Sequence, residues 1–301
     1  MQRRKYLKAI ATGSATFALA GCVGGGDDGD DESSDGGDES SDGGDGDDES
    51  SDGGDSQYGL SNGVVTVGSD IPYKPFEYRT EDGDLTGFDV KMAEAIYVDE
   101  MGLDYEFQPT AWDGIIPSLN NGNFRVIMSA MTINDERAEK VDFSEPYFTA
   151  YQTVVVIEGG DVSSKQDLEG KAVGVQKGTT GETAAEQLKE ELGGNLEIQS
   201  YDQITGAFDA LINNQVSAVV NDNTVNGEFV AEQDGVGFLE GEGAAEEAGQ
   251  DAPPYLTLTV ENYGIAFRQE DDEFNKAVNE ALAAVKESGR YDEIYNEFFA
   301  G

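Results

Sequence analysis

Two charged side chains and one glycine-rich turn fall where apolar runs end, which is where an open α/β sheet leaves its ligand crevice. Arg137 comes shortly after the apolar run 126–129 and the small and hydroxyl residues Ser129, Ala130 and Thr132. A guanidinium presents five donors in a fixed fork, and beside free backbone and hydroxyl groups it suits a small carboxylate. Asp222 follows a second apolar run, 218–221, again at a sheet edge. Gly178-Thr179-Thr180-Gly181 precedes a helical pattern, and there free backbone N–H groups and the positive end of the helix dipole favour an anion. Each feature also has a plainer reading. The arginine could be a surface counter-charge on an acidic protein, Asp222 one more solvated carboxylate, and the Gly-Thr pair an ordinary helix cap.

The elements that must position these groups follow from the hydrophobic spacing. The stretch 112–147 reads as a helix over 112–119, a buried strand over 126–129, a short helix beginning near Asn134 and an extended exit at Pro146-Tyr147. Upstream, a short β-rich strand over 64–67 ends at Gly68-Ser69-Asp70. The two prolines of IPYKPFEY then prevent a helix and set an aromatic loop on the rim of the sheet. A helix over 89–101 carries Phe88, Met92, Ala95 and Ile96 on one face, and a strand over 105–109 completes a β-α-β-α-β unit.

An apolar strand over 151–157 carries the chain out of this first lobe, and the pattern restarts. Strands over 172–176, 196–201 and 218–221 alternate with helices over 181–192, 203–213 and 224–233. Two similar units in succession argue for two lobes. The acidic, glycine-rich run 237–252 reads as a surface excursion, 263–267 as a return strand, and Phe274, Val278, Leu282 and Val285 as one face of a long amphipathic helix.

Before the lobes come segments with other work. Arg3-Arg4-Lys5-Tyr6-Leu7-Lys8 is a twin-arginine pattern, and the apolar run 9–20 is too short to span a bilayer. It ends in Leu19-Ala20-Gly21-Cys22, where small residues before the only cysteine of the chain resemble a lipobox. Cys22 is thus expected to be lipidated and to anchor the protein to a membrane; no cysteine is left for disulfides or thiol catalysis. Beyond it ESSDGGD occurs at 32–38, 39–45 and 49–55. A segment with so few apolar groups cannot offset its ordering entropy, so 22–57 reads as a solvated tether. Its r.m.s. span would be about 30 to 35 Å, and charge repulsion would extend it.

With 62 acidic and 18 basic residues the formal charge is −44. That excess repels nucleic acid and calls for salt screening, as in a secreted protein of a halophile. Histidine is absent, which removes the usual general base, Ser-His triads and imidazole metal ligands. Neither a cofactor nor a metal site is expected.

Read together, IPSL, IMSAMTINDER and VDFSEPY resemble the signature of the family 3 extracellular solute-binding proteins, which deliver amino acids to ABC importers. VGSDIPYKPFEYRTEDGDLTGFDVKMAEAI upstream, and GVQKGTTGETAAEQL and VVNDN downstream, match the same family in the same order, from about Val64 to the C-terminus. The resemblance implies an α/β, two-lobed, periplasmic-binding-protein-like fold of type II, each lobe a β-sheet flanked by helices, with a two-stranded hinge. Lobe one would be 58–152 plus 261–301, and lobe two 153–260, after a signal peptide over 1–21. An amino acid carries a carboxylate and an ammonium on one carbon, so its site needs a forked cation and a separate anion. By the resemblance Arg137 clamps the α-carboxylate and Asp222 accepts the α-ammonium. Thr179 and Thr180 would hold the carboxylate from lobe two, and Ser129, Ala130 and Thr132 would add contacts from lobe one. Tyr73, Phe76 and Trp112 match positions that wall the ligand. Asp70 matches one that touches its side chain and, as a carboxylate, favours amide or cationic ends. Arg125 departs from the family, which usually carries Asp there; it should precede the buried strand rather than line the crevice.

The implied protein is a monomeric receptor, exported by the twin-arginine route, lipid-anchored on the outer face of the membrane, and docking on a permease with no role for nucleic acid. A dehydratase of the cyclohexadienyl type resembles these binding proteins and is the rival of another class, yet beyond abundant carboxylates no acid–base pair stands out. A sensory amino-acid receptor would share the same site.

Overall fold

The computed structural model describes residues 57–249 and 253–299. The export signal, Cys22 and the acidic tether up to residue 56 lie outside the described residues.

In chain order the first lobe contributes β1 (Val64–Ser69), the hairpin β2 and β3 (Tyr78–Arg79, Leu85–Thr86), α1 (Phe88–Ala93), β4 (Asp104–Pro109), α2 (Trp112–Asn120), β5 (Val126–Ile127), α3 (Asp135–Ala138) and β6 (Asp142–Phe143). There follow β7 (Phe148–Ile157), β8 (Ala172–Gln176), α4 (Thr180–Glu191), β9 (Glu197–Tyr201), α5 (Ile204–Ile212), β10 (Ala218–Asp222), α6 (Asn223–Glu232), β11 (Val236–Phe238) and α7 (Ala244–Glu247). The chain closes with β12 (Thr257–Tyr263), β13 (Ala266–Phe267), α8 (Asp272–Glu287) and α9 (Arg290–Phe299).

One sheet has the order β4-β1-β5-β13-β6, with β1 parallel to β4 and β5 and β13 antiparallel to β5 and β6. β-branched Val64, Val65, Thr66 and Val67 suit an interior strand, and Val65 and Val67 are fully buried. α1 runs on into a π-helical segment, Glu94–Glu100, whose Ala95, Ile96 and Tyr97 are buried. The apolar face of α8, Phe274, Val278, Leu282 and Val285, joins the same core.

The second sheet has the order β11-β7-β10-β8-β9. β8 is parallel to β9 and β10, and β7 runs antiparallel to β10. β7 is ten residues long because it serves two partners along one edge. Phe148 to Thr153 pair with β12, and Val155 to Ile157 pair with β11. The chain therefore leaves the first lobe along β7 and comes back along β12, and the two strands form a ribbon between the sheets.

Three elements differ from the sequence reading. The return strand expected over 263–267 is two strands, β12 and β13, broken at Gly264, where a Cβ would lie 2.8 Å from Ile133 Cδ1. The run 237–252 is more than a surface excursion. It holds the end of β11 and helix α7, and it buries Leu239 and Ala245, whose N–H donates to Thr257 Oγ1 at 2.9 Å. The strand expected over 126–129 stops at Ile127, and Ala130 then turns the chain at φ 46°.

Candidate ligand-binding site

Both sheets send the C-terminal ends of parallel strands into one cleft, whose empty space is about 360 Å³, part of it open to solvent. Asp70 follows β1, Ser129 and Ala130 follow β5, Gln176 ends β8 and Asp222 ends β10. Tyr73 reaches in from the rim loop, Trp112 from the start of α2, Arg137 from α3, and Thr179 and Thr180 from the start of α4.

Arg137 is positioned by the cap of its own helix, since Asn134 Oδ1 accepts from the Arg137 N–H at 2.9 Å. Its Nη1 donates to the Thr132 carbonyl at 2.8 Å, and the guanidinium carbon lies 5.0 Å from the centre of the Trp112 ring. The side chain is buried, yet among the described residues no carboxylate comes within ion-pair distance of it. Burial pulls its pKa below the usual arginine value, against the opposing pull of Glu261 and Asp222. A buried cation with free donors in a cleft is a receptor for an anion.

Asp222 faces it from the other sheet. Its carboxylate accepts from the Tyr73 hydroxyl and from Gln152 Nε2, the latter at 2.5 Å. Burial pushes its pKa up to about 7, the negative charge of Glu261 adds to the rise, and Tyr73 and Arg137 pull it down. The Tyr73 hydroxyl also lies 3.0 Å from Asn221 Oδ1. Burial and the neighbouring Asp222 raise the phenol well above its ordinary range.

Asp70 accepts from Gln176 Nε2 at 2.6 Å, and its own N–H donates to Ser129 Oγ at 2.9 Å. Burial raises its pKa, and the Gln176 hydrogen bond opposes this. Ser129 in turn donates to Glu77 at 2.7 Å, while the Ala130 N–H donates to Asp89 Oδ2 at 2.9 Å. Glu77 and Asp89 are both fully buried, and burial raises both carboxyls. Together they hold the Ser129-Ala130 turn, including its left-handed alanine, in place.

Thr179 is the N-cap of α4: its Oγ1 accepts from the Glu182 N–H at 3.3 Å and donates to the Gln176 carbonyl at 2.7 Å. The Trp112 indole donates across the cleft to the Gly178 carbonyl at 2.8 Å. Thr132 and Thr180 meet with their hydroxyl oxygens 3.3 Å apart. Both donate to one oxygen of Glu261 on β12, at 2.6 and 2.8 Å. On the rim, Lys74 bridges to Glu228 and Glu232 of α6 at 2.8 and 2.5 Å.

The cleft thus gathers Asp70, Tyr73, Trp112, Ser129, Ala130, Thr132, Arg137, Thr179, Thr180 and Asp222 from the sequence reading. Phe76 is the exception and is corrected: it is wholly buried behind the cleft among Phe88, Phe148, Tyr263 and Phe299, and it supports Tyr73 from below with ring centres 6.2 Å apart. A rim loop that turns one aromatic outward turns another inward. Gln152, Gln176 and Asn221 also line the cleft and were not anticipated. Gln176 ends an apolar strand just as Asp222 does, and Gln152 is a lone amide in a β-branched strand; both patterns were there to read. Gln152 Oε1 and Asn221 Nδ2 have no hydrogen-bond partner among the described residues. Arg125 lies away from the cleft, as expected of a residue before the strand. It pairs with Asp271 at 2.6 Å and lies 4.9 Å from the centre of the Phe274 ring.

The chain is also similar to known proteins. Residues 65–301 match the profile of the bacterial extracellular solute-binding proteins, family 3. The chain is 35% identical over 240 residues to a probable histidine-binding protein of Neisseria gonorrhoeae, covering 79% of this chain and 83% of that one. It is 34% identical over 243 residues to the L-arginine-binding protein of Pseudomonas aeruginosa, covering 78% and 88%. Among solved structures it resembles the arginine-, lysine-, histidine-binding protein ArtJ from Geobacillus stearothermophilus, with a TM-score of 0.68, 35% identity, and 79% and 96% of the two chains covered.

Proposed function

The chain belongs to the bacterial extracellular solute-binding proteins of family 3, and from that premise we propose that it captures a polar amino acid outside the cytoplasmic membrane and hands it to the permease of an ABC importer. The observation that carries this reading is the pair Arg137 and Asp222, buried opposite charges facing one cleft from two lobes, neither of them in an ion pair among the described residues. An α-carboxylate on the guanidinium and an α-ammonium on the carboxylate would complete both. The unpartnered Gln152 Oε1 and Asn221 Nδ2 support a polar ligand as well, since a buried amide without a partner costs about 1–3 kcal/mol.

Asp70, buried at the β1 end of the cleft, supports a ligand whose side chain ends in a cation or an amide. The histidine- and arginine-binding names of the relatives agree with that, and these names describe binding without turnover. Because Arg137 and Asp222 stand on different lobes, the ligand gains its full set of contacts only in the closed form, and that difference in affinity drives closure about the β7–β12 ribbon. Ser129, Ala130, Thr132, Thr179 and Thr180 supply the remaining contacts, and Tyr73 and Trp112 the walls. The lobe boundaries we assign are 58–152 with 261–301, and 153–260. We further assign twin-arginine export, a lipid on Cys22, an acidic tether, a monomeric state and a salt-rich environment, all read from the sequence.

Thermal unfolding in high salt against the amino acids tests the reading. A ligand at a hundred times its Kd adds about 2.7 kcal/mol, which for a chain of this size raises the midpoint by roughly 5 to 11 °C. Absence of a shift with every amino acid would refute it.

A further inference from the structure

Glu261 is an acidic residue on the ribbon strand β12, with only 5% of its surface exposed. One of its oxygens accepts from Thr132 Oγ1 at 2.6 Å and from Thr180 Oγ1 at 2.8 Å, and Gln152 Nε2 lies 3.3 Å from the same atom. Its other oxygen accepts from Thr259 Oγ1 at 3.0 Å. The carboxylate therefore lies beneath the cleft floor and joins a hydroxyl of the first sheet's strand-end loop to one at the start of α4.

A hydroxyl has one hydrogen to donate and two lone pairs, whereas a carboxylate can only accept. With both hydrogens taken by Glu261, Thr132 and Thr180 have none left for the cleft. What they turn toward a ligand is lone pairs, and Gln152 Nε2, 3.3 Å from Thr180 Oγ1, occupies one of these. Where Thr180 holds the ligand carboxylate, as the resemblance suggests, it does so without its hydroxyl hydrogen.

Building on the amino-acid reading above, we propose that Glu261 is a positioning residue that sets the polarity of the cleft: it turns Thr132 and Thr180 into acceptors, so that they receive N–H groups of the ligand, and it leaves the ligand carboxylate to Arg137 and the backbone N–H groups at the start of α4. The selectivity of the site for an α-carboxylate is then weaker than its lining suggests, and Glu261 is what weakens it.

The test compares two probes by calorimetry: L-arginine and L-argininamide or, where another amino acid gives the larger thermal shift, that amino acid and its α-amide. In Glu261→Leu, of similar size, no side-chain oxygen remains to accept from Thr132 or Thr180, so their hydroxyl hydrogens are freed to donate to a carboxylate. The ratio of acid to amide affinity should rise about tenfold, equivalent to 1.4 kcal/mol. Thr180→Val keeps the shape and removes the hydroxyl. The amide should then lose more affinity than the acid, because its N–H used a lone pair of that hydroxyl and the acid did not. If Thr180→Val instead costs the acid tenfold and spares the amide, or if Glu261→Leu changes both probes by the same factor, Glu261 has only a structural role and the proposal is overturned. Circular dichroism of each variant identifies a failure to fold, and the Thr180→Val ratio then decides alone. If no amino acid binds the native protein, the amino-acid reading itself fails, and this one with it.

Discussion

Lowering the pH from 8 to 5 should weaken amino-acid binding and make it release a proton, and the amount follows from Asp222. Burial and the charge of Glu261 lift its pKa from 3.8 to about 7 in the empty protein. At 1.36 kcal/mol per pKa unit, ionising Asp222 in the empty fold costs about 4 kcal/mol more than in the unfolded chain. A raised carboxylate pKa gives the empty fold a stability that is complete below about 4 and is lost as the pH climbs through about 7. A ligand ammonium against Asp222 favours the ionised form and reverses that loss. Between pH 4 and 7, then, the empty protein is weakened by rising pH and the liganded one is spared.

Two readouts follow. At pH 6 most empty molecules carry a proton on Asp222 that must leave when the ammonium arrives, so calorimetry in two buffers of different ionisation enthalpy should report about one proton released. At pH 8 the two buffers should agree. Affinity should fall by up to tenfold for each pH unit below 7, or ~2.7 kcal/mol between pH 7 and 5. Asp70 also lines the cleft, and burial raises its pKa. No proton exchange at pH 6, with affinity flat from pH 5 to 8 and the fold intact, would mean that no ammonium meets Asp222.

Two substitutions separate binding from folding. Arg137→Ala should cost about 2 to 5 kcal/mol of binding, as for one partner of a desolvated charge pair; unchanged affinity in calorimetry would put the carboxylate clamp elsewhere. Arg125→Ala removes an ion pair whose side chains are 19% and 11% exposed. It should lower the denaturant midpoint by the equivalent of about 2 kcal/mol, between the values for surface and buried pairs, and leave ligand affinity as it was.

Residues that act at strand ends were legible in the sequence because an apolar run followed by a polar residue marks the sheet edge directly. Asp222 and Thr132 carry that mark, Thr180 was read from the glycine-rich turn that opens α4, and Arg137 lies further on, in α3; all four line the cleft. Phe76 was misjudged because a rim loop has no period from which to tell inward from outward. Glu261 was missed for a different reason: the ribbon strand β12, TLTVENY, alternates polar with apolar residues up to Glu261 and places it on the threonine face, where a carboxylate reads as solvated. The short helix α7 was hidden by acidic and glycine-rich composition, which describes its surface and not its buried alanine. Long-range partners such as Thr132 and Glu261, or Asp70 and Gln176, join residues more than a hundred positions apart, and no local pattern encodes them.

The hydrogen bonds that cross the cleft serve its acceptors but leave Arg137 without a counter-charge, which is what a ligand adds. Tyr73 spans to Asp222, Gln176 to Asp70 and Trp112 to the Gly178 carbonyl, so the closed shape already satisfies the acceptors on both sides. Nothing of the kind is done for Arg137, whose fork has a carbonyl on one nitrogen and no anion within reach among the described residues. Its desolvation is a cost of the closed form that opening relieves, because an open cleft lets water back to the guanidinium. A ligand that brings only hydrogen-bond donors competes with Tyr73 and Gln176 for acceptors that are already served. One that also brings a carboxylate supplies the missing counter-charge. That contribution exists only when the lobes are closed, so it shifts the equilibrium rather than merely adding affinity to both states.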